Sequence, residues 1–170
     1  GLAIVKFSRL EWAVEKATEL GVEAILPIVA ARSEKRLVRE APGRLARWRR
    51  IAEEAAMQAR RMAPPVLLDP VPLDQAVVAE PSTWCLFLDP GGVPLNQVVD
   101  RLHPGSARAV RLLVGPEGGW SSDEIAAAQQ AGCHRCELGP LILRAETAAV
   151  TAAGILMHLL RGHPRPGPGS

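Results

Sequence analysis

Two stretches of this chain share one grammar. Each runs from a short apolar segment through a Gly-Pro turn into the opening of a helix. In the first, Leu112-Leu113-Val114 stops at Gly115-Pro116-Glu117-Gly118-Gly119-Trp120, and Ser121 follows with Glu124 three residues on. That Ser/Glu spacing is a capping box, which satisfies the free N–H groups at a helix start. In the second, Glu137-Leu138 crosses Gly139-Pro140, then Leu141-Ile142-Leu143-Arg144, and a helix opens at Glu146-Thr147-Ala148. Two strand–loop–helix junctions in succession bring two loops to the carboxyl ends of neighbouring parallel strands. In open α/β sheets that edge is where ligands bind.

The rest of the chain agrees with such a sheet. Strands are expected over residues 3–6, 24–30, 66–69, 84–88, 109–114 and 135–138. Pro27 interrupts the second, which places it at an edge or a bulge. Asp89-Pro90-Gly91-Gly92 reads as the loop after the fourth strand. Helices are expected over residues 9–20 (with Leu10, Val14 and Ala17 inward, and Gly21 as the stop), 73–78, 95–102 (ending near His103-Pro104), 122–131 and 146–161. Residues 33–43 read as a charged loop. The clearest amphipathic helix covers residues 44–62. Leu45, Trp48, Ala52, Ala55, Ala59 and Met62 recur at spacings of three and four, and Arg47, Arg50, Glu54, Gln58 and Arg61 oppose them. Alternating strands and helices predict an α/β domain over residues 1–161, with a mostly parallel six-stranded sheet and helices on both faces. The last helix carries Ala149, Val150, Ala153, Ile155, Leu156, Leu159 and Leu160, more apolar surface than one sheet can cover. A homodimer is therefore expected. Residues 162–170, rich in Pro and Gly, read as a disordered tail.

Charge narrows the partners. Of the twenty basic residues, ten lie between Arg32 and Arg61, against four acidic ones, although the whole chain is only +2. A basic region on a near-neutral protein suggests a polyanion partner. The plainer alternative is a solvated helix face. No apolar run reaches membrane-spanning length, so no membrane partner is expected, and the expected compartment is the cytoplasm. Cys133-His134-Arg135-Cys136 follows a helix instead of opening one, the wrong end for a low-pKa redox pair. No second Cys/His pair completes a zinc site, so no metal is expected. Cys85, Cys133 and Cys136 read as buried structural thiols.

Gly115-Pro116-Glu117-Gly118-Gly119, then Leu138-Gly139-Pro140, Ile142-Leu143-Arg144 and Glu146-Thr147-Ala148, resemble the ribosomal RNA small-subunit methyltransferase E family. That family belongs to the knotted SPOUT superfamily and methylates N3 of a uridine in 16S ribosomal RNA, using S-adenosylmethionine. Upstream, Lys6, Glu15-Lys16-Ala17-Thr18-Glu19-Leu20-Gly21, Arg32-Ser33, Trp48, Glu54-Ala55, Gln58, Arg61 and Pro65 fall where the family has similar residues. The likeness runs from Leu2 to Arg161. It implies a C-terminal trefoil knot, in which the segment after the sixth strand passes through the loop after the fourth. It implies S-adenosylmethionine as cofactor, and 16S ribosomal RNA or the small ribosomal subunit as partner. It also implies a β-barrel, PUA-like RNA-binding domain ahead of residue 1, which this sequence does not contain. The chain is therefore expected to be a fragment of a longer protein.

The resemblance carries roles onto matching positions. Cofactor contacts fall to Gly115, Pro116, Glu117, Gly118, Leu138, Gly139 and Pro140. Their glycines let the backbone approach a ligand and their prolines stiffen the turns. Leu88, Asp89, Ile142 and Leu143 complete the pocket, with the leucines, Leu138 and Ile142 as apolar walls. Uracil N3–H is a weak acid, so the reaction needs a proton acceptor and a stabiliser of the anion. Arg144 is the first choice of stabiliser. Glu117 or Glu146 is the acceptor, or orients Arg144. Glu146 also suits a helix start simply as an anion at the positive end of the dipole. RNA phosphates are assigned to Arg32, Arg47, Arg50 and Arg61. Two competing chemistries fail on motif: Gly115–Trp120 lacks the Lys of a phosphate-binding P-loop, and no G-x-G-x-x-G follows the first strand. Two alternatives stay open, an RNA-binding module without catalysis and a methyltransferase acting on another RNA.

Overall fold

The computed structural model describes residues 1–77, 82–102 and 109–161. Val78, His103, Pro104, His163 and the tail over 162–170, all within segments read above, lie outside the described residues. In chain order the elements are β1 (Leu2–Ala3), α1 (Phe7–Leu20), β2 (Ala24–Ile25), β3 (Pro27–Val29), α2 (Lys35–Glu40), a 3-10 turn (Ala41–Arg44), α3 (Leu45–Gln58), β4 (Val66–Leu67) and β5 (Val71–Pro72). There follow α4 (Leu73–Ala76), β6 (Thr83–Pro94), α5 (Leu95–Arg101), β7 (Ala109–Val114), α6 (Ser122–Gln130), β8 (His134–Glu137) and α7 (Ala145–Arg161). Six strands form one sheet in the order β5-β3-β1-β7-β6-β8. Every neighbouring pair in it is parallel.

Side-chain alternation along the strands sorts the core into two layers. Leu2, Leu86, Leu88 and Val114 pack with α1, α3, α5 and α7 through Leu10, Val14, Trp48, Val98 and Leu156. Ala3, Phe87, Leu113 and Cys85 face the other way, onto α4 and α6 through Leu73, Ala76 and Ala128. The α/β architecture with helices on both faces is thus the one expected. Its strands differ in detail.

Residues 24–30 split at Leu26 into β2 and β3. Pro27 is the first residue of β3, where its missing N–H is tolerated, so β3 sits inside the sheet between β5 and β1 and not at an edge. β2 leaves to form a separate parallel pair with β4. The expected third strand is therefore outside the main sheet, and β5 takes its place.

Two helical assignments also change. The expected loop over 33–43 contains α2 and most of the 3-10 turn, because Leu37 and Ala41 are buried while Lys35, Arg36, Arg39 and Glu40 stay exposed. α3 ends at Gln58, earlier than Met62. Arg60 adopts a positive φ of 53°, and Arg61 turns back to donate to the carbonyls of Thr18 (2.7 Å) and Val22 (3.0 Å) at the end of α1. Arg61 therefore does not share a helix face with Arg47 and Arg50. α7 is not buried on all sides either: Thr147, Thr151, Ile155 and His158 form an exposed stripe opposite buried Ala152, Ala153 and Leu156.

The expected loop after Leu88 belongs to β6, which bulges around β8. Leu88 and Val93 both pair with Cys136, so residues 89–92 are looped out between two contacts with one residue. Gly92 makes this possible: a Cβ there would lie 2.6–2.8 Å from the Cys136 backbone. Cys85 and Cys133 are joined as a disulfide, and Cys136 is the free buried thiol. The reading of three unpaired thiols is corrected for the first two.

Candidate active site at the carboxyl edge of the sheet

The first loop is a rigid turn built around a tryptophan. Gly119, at φ +69°, donates its N–H to the Pro116 carbonyl at 2.8 Å. Trp120 folds under the loop, stacks on Phe87 with ring centroids 4.6 Å apart, and donates Nε1–H to the Leu88 carbonyl at 2.9 Å. Its ring lies so close to Gly115 that a Cβ there would be 2.9 Å from it. The capping box forms as its spacing requires, with Glu124 N–H to Ser121 Oγ at 3.2 Å and Ser121 N–H to Glu124 Oε2 at 2.8 Å. The other Glu124 oxygen accepts from the Ala31 N–H at 2.7 Å, and Arg32 donates to the Gly118 carbonyl at 2.7 Å. The end of β3 thus buttresses the first loop from the side.

The second loop has the opposite character. Leu141, Ile142, Leu143 and Arg144 are all exposed, Ile142 by 89%. Ile142 and Leu143 do not form a closed apolar wall in this chain. Leu138 packs against the core, and Leu88 and Asp89 are buried. Between Gly139 and Leu143 no main-chain group takes part in the turn, loop and cap hydrogen bonds of the described residues. Gly139, at φ +130°, turns the chain where a side chain would be strained. A stretch of backbone donors and acceptors at the sheet edge thus has no main-chain partner among the described residues. The Arg144 carbonyl accepts the Ala148 N–H at 2.8 Å and so starts α7, while the Arg144 side chain has no hydrogen bond or ion pair among the described residues.

Between the loops lies a residue to which the sequence reading gave no role. Arg9, in the first turn of α1, forms an ion pair with Glu117 of the first loop through Nη1. Its Nε is 3.6 Å from Oε1 of Glu146, the second residue of α7. Glu146 is buried, and its Oε2 has no hydrogen-bond partner among the described residues. The two candidate acid–base residues are thus brought to one cation, and Arg144 stands two residues away along the chain. Nothing in residues 6–12 marks Arg9 except its place just after the first parallel strand, at the edge where ligands bind.

Asp89 is committed elsewhere. Arg135 donates to its Oδ2 from Nε (2.8 Å) and Nη2 (2.5 Å), and also to the Pro90 carbonyl at 2.8 Å. Gly91 N–H donates to Glu137 Oε2 at 2.9 Å. The loop over 89–92 is therefore clamped onto β8, and Asp89 can meet a ligand only as part of this clamp. Burial pushes the Cys136 thiol beneath it up to about 12. A thiol so placed stays protonated near neutral pH and is no nucleophile.

The arginines assigned to RNA are all engaged. Arg47 grips Glu11 of α1 through Nε (2.7 Å) and Nη2 (3.0 Å), and Arg50 pairs with Glu54 at 3.1 Å. Arg32 and Arg61 donate to main-chain carbonyls as described. Among the described residues no cluster of His, Cys, Asp and Glu could hold a metal ion, and no helix is long and apolar enough to cross a membrane.

Residues 1–157 match a family model described as an RNA methyltransferase domain. A ribosomal RNA small subunit methyltransferase E of Mycobacterium bovis is 39% identical over 157 residues, 89% of this chain and 59% of that protein. The corresponding Neisseria gonorrhoeae enzyme, solved bound to S-adenosylmethionine, superposes with a TM-score of 0.81 at 31% identity, over 92% of this chain and 64% of that one. A Legionella pneumophila protein described as a methyltransferase, also with S-adenosylmethionine bound, gives a TM-score of 0.84 at 34% identity, over 94% of this chain and 64% of that one. The chain thus spans about three-fifths of the length of these relatives.

Proposed function

Because the chain belongs to the RNA methyltransferase domain family, matched over residues 1–157, we propose that it is the methyl-transfer part of an S-adenosylmethionine-dependent enzyme that methylates N3 of a uridine in 16S ribosomal RNA. One arrangement carries this reading. An exposed loop, residues 139–143, lies beside Arg144 and a buried Glu146; among the described residues the loop's main chain, the Arg144 side chain and Glu146 Oε2 have no hydrogen-bond partner. The residues present fit the cofactor. The N–H and C=O groups of residues 139–143 suit the donor and acceptor edge of an adenine, Gly139 allows close approach, and Leu138 and Leu88 supply apolar surface.

When bound, S-adenosylmethionine supplies a methyl group on a sulfonium. The chain's own residues do the rest. Glu146 Oε2 takes the proton from uracil N3. Arg144 donates to the uracil oxygen that gains negative charge as that proton leaves. With the proton held by Glu146 and the charge by Arg144, N3 would be the nucleophile for the cofactor's methyl group, with the sulfonium sulfur as the leaving group. The two loops hold the reacting atoms in line. No metal takes part in this scheme.

Three finer proposals go with it. The looping of residues 89–92 around Cys136 supports the trefoil knot. The exposed α7 stripe with Ile155 supports a homodimer; a stable monomer in sedimentation at micromolar concentration removes it. Arg32, Arg47 and Arg50, with Arg61 contributing least because it caps α1, form the proposed RNA phosphate surface. The compartment that fits a ribosomal RNA substrate is the cytoplasm.

The test pairs calorimetry with single-turnover methylation. The wild type binds S-adenosylmethionine and methylates small-subunit RNA at uracil N3. Arg144→Ala keeps the cofactor affinity and loses about 10²–10³ in rate, the usual cost of one preorganised donor to a developing anion. Cofactor binding without methyl transfer to any RNA favours the RNA-binding alternative. Transfer to a different RNA favours the other. If affinity and rate fall together in Arg144→Ala, the arginine holds the loop instead of the substrate.

A further inference from the structure

We propose that Arg9 is a positioning residue for methyl transfer: it locks the first loop to the start of α7 and thereby aims the free oxygen of Glu146 at the acceptor N–H. This inference rests on the function proposed above. It begins with topology. β1 lies between β3 and β7 in a parallel sheet, so the first turn of α1 emerges at the same edge as the loops after β7 and β8. α1 packs on α7 and α3, which fixes its axis relative to the start of α7. Arg9 is therefore held on a packed helix and reaches both the first loop and the start of α7.

Its guanidinium meets both. Nη1 pairs with Glu117, whose side chain is 49% exposed, and Nε lies 3.6 Å from Oε1 of Glu146, whose side chain is 10% exposed. The consequence for Glu146 is directional. One carboxylate oxygen faces Arg9, and the other, Oε2, is buried without a partner. A buried acceptor without a donor is costly, and an incoming N–H relieves it. The N3–H of a uracil is a group of that kind. Because the same cation also holds Glu117, the placement of the first loop and the aiming of Oε2 are coupled through one guanidinium.

The experiment is a double-mutant cycle in the intact protein, read by single-turnover methylation, cofactor titration and thermal melting. Arg9→Gln is expected to lose about 100-fold in rate, the scale of a misaligned reacting group. Its cofactor affinity should change by about fivefold at most, since the Arg9 pairs do not involve the main chain of residues 139–143 proposed to hold the adenine. Arg9→Lys should recover most of the rate, since it restores the cation. In a Glu146→Gln background, Arg9→Gln should cost nothing further, because its effect passes through Glu146. Equal costs of Arg9→Gln with and without Glu146 would overturn the assignment. So would a loss confined to melting temperature, or a wild-type rate in Arg9→Gln. A wild-type protein that transfers no methyl to RNA overturns the function itself, and this role with it.

Discussion

Gly92 and Gly115 show how a single hydrogen atom in place of a methyl group lets neighbours pack tightly against the main chain at the site. Neither has the left-handed φ that usually explains a glycine. Gly92 is required by a backbone, since its Cβ would lie 2.6–2.8 Å from N, Cα and C of Cys136. Gly115 is required by a ring, with Trp120 atoms at 2.9 Å, and that ring is pinned by Phe87 and by the Leu88 carbonyl. Neither neighbour can swing away as the end of a flexible side chain would. Gly43, in contrast, has nothing within 4 Å of its would-be Cβ. The expected order of destabilisation is therefore Gly92→Ala, then Gly115→Ala, with Gly43→Ala near zero or slightly stabilising. Overpacking typically costs about 1–3 kcal/mol, and the clash with a backbone belongs at or above the upper end. Urea unfolding of the three variants checks the order. A Gly92→Ala protein as stable as Gly43→Ala would mean that residues 89–92 do not wrap β8 as described. The sequence marks both glycines as turn residues, but it contains no sign of what approaches them.

At the scale of the element, the cysteines are instructive. Cys133 and Cys136 are three residues apart, an odd spacing on an extended segment, so they fall on opposite faces of the sheet. Cys136 joins the layer with Leu86 and Leu88, while Cys133 joins the layer with Phe87 and Cys85. The pair that local spacing suggests cannot meet, and Cys133 bonds instead to Cys85, 48 residues away, with Cα atoms 4.5 Å apart. Reduction should lower the unfolding free energy by about 2–4 kcal/mol, the usual contribution of such a cross-link. Denaturant melts with and without dithiothreitol measure it, and Cys85→Ser should show no further response to the reductant. A wild type equally stable in both conditions means that the bond does not form in solution. The same scale explains the missed α2. Its charged residues hid one buried position, Leu37, and a six-residue helix offers too few turns for periodicity to register.

The whole molecule separates a loop edge suited to a small ligand from a flank suited to a long one. Arg47 and Arg50 lie on α3, exposed, each held by one carboxylate. Surface ion pairs of this kind are worth little and exchange readily for phosphate. Replacing Arg47 and Arg50 together by Ala should weaken binding of ribosomal RNA across sequences. It should also reduce the slope of log affinity against log salt by about one for each phosphate that is no longer neutralised. Filter binding of the intact protein at several salt concentrations reads that slope. An unchanged slope makes α3 a solvated face whose arginines serve Glu11 and Glu54.

Local chemistry was legible from the sequence wherever it depends on neighbours along the chain. β7 falls on residues 109–114, Gly21 and Ser121 bound their helices, and both loops after β7 and β8 sit where the Gly-Pro turns put them. These follow from capping, backbone freedom and period-two or period-3.6 patterning, which act within a few residues. Tertiary structure decided what depends on the far partner. Pro27 lies inside the sheet because β1 and β5 arrive on either side, Arg61 became a cap because the end of α1 needed donors, and Asp89 was taken by Arg135. The meeting of Glu117 and Glu146 on Arg9 belongs to this second group. Residues from opposite ends of the chain acquire a common role only when a parallel sheet returns each strand to the same edge.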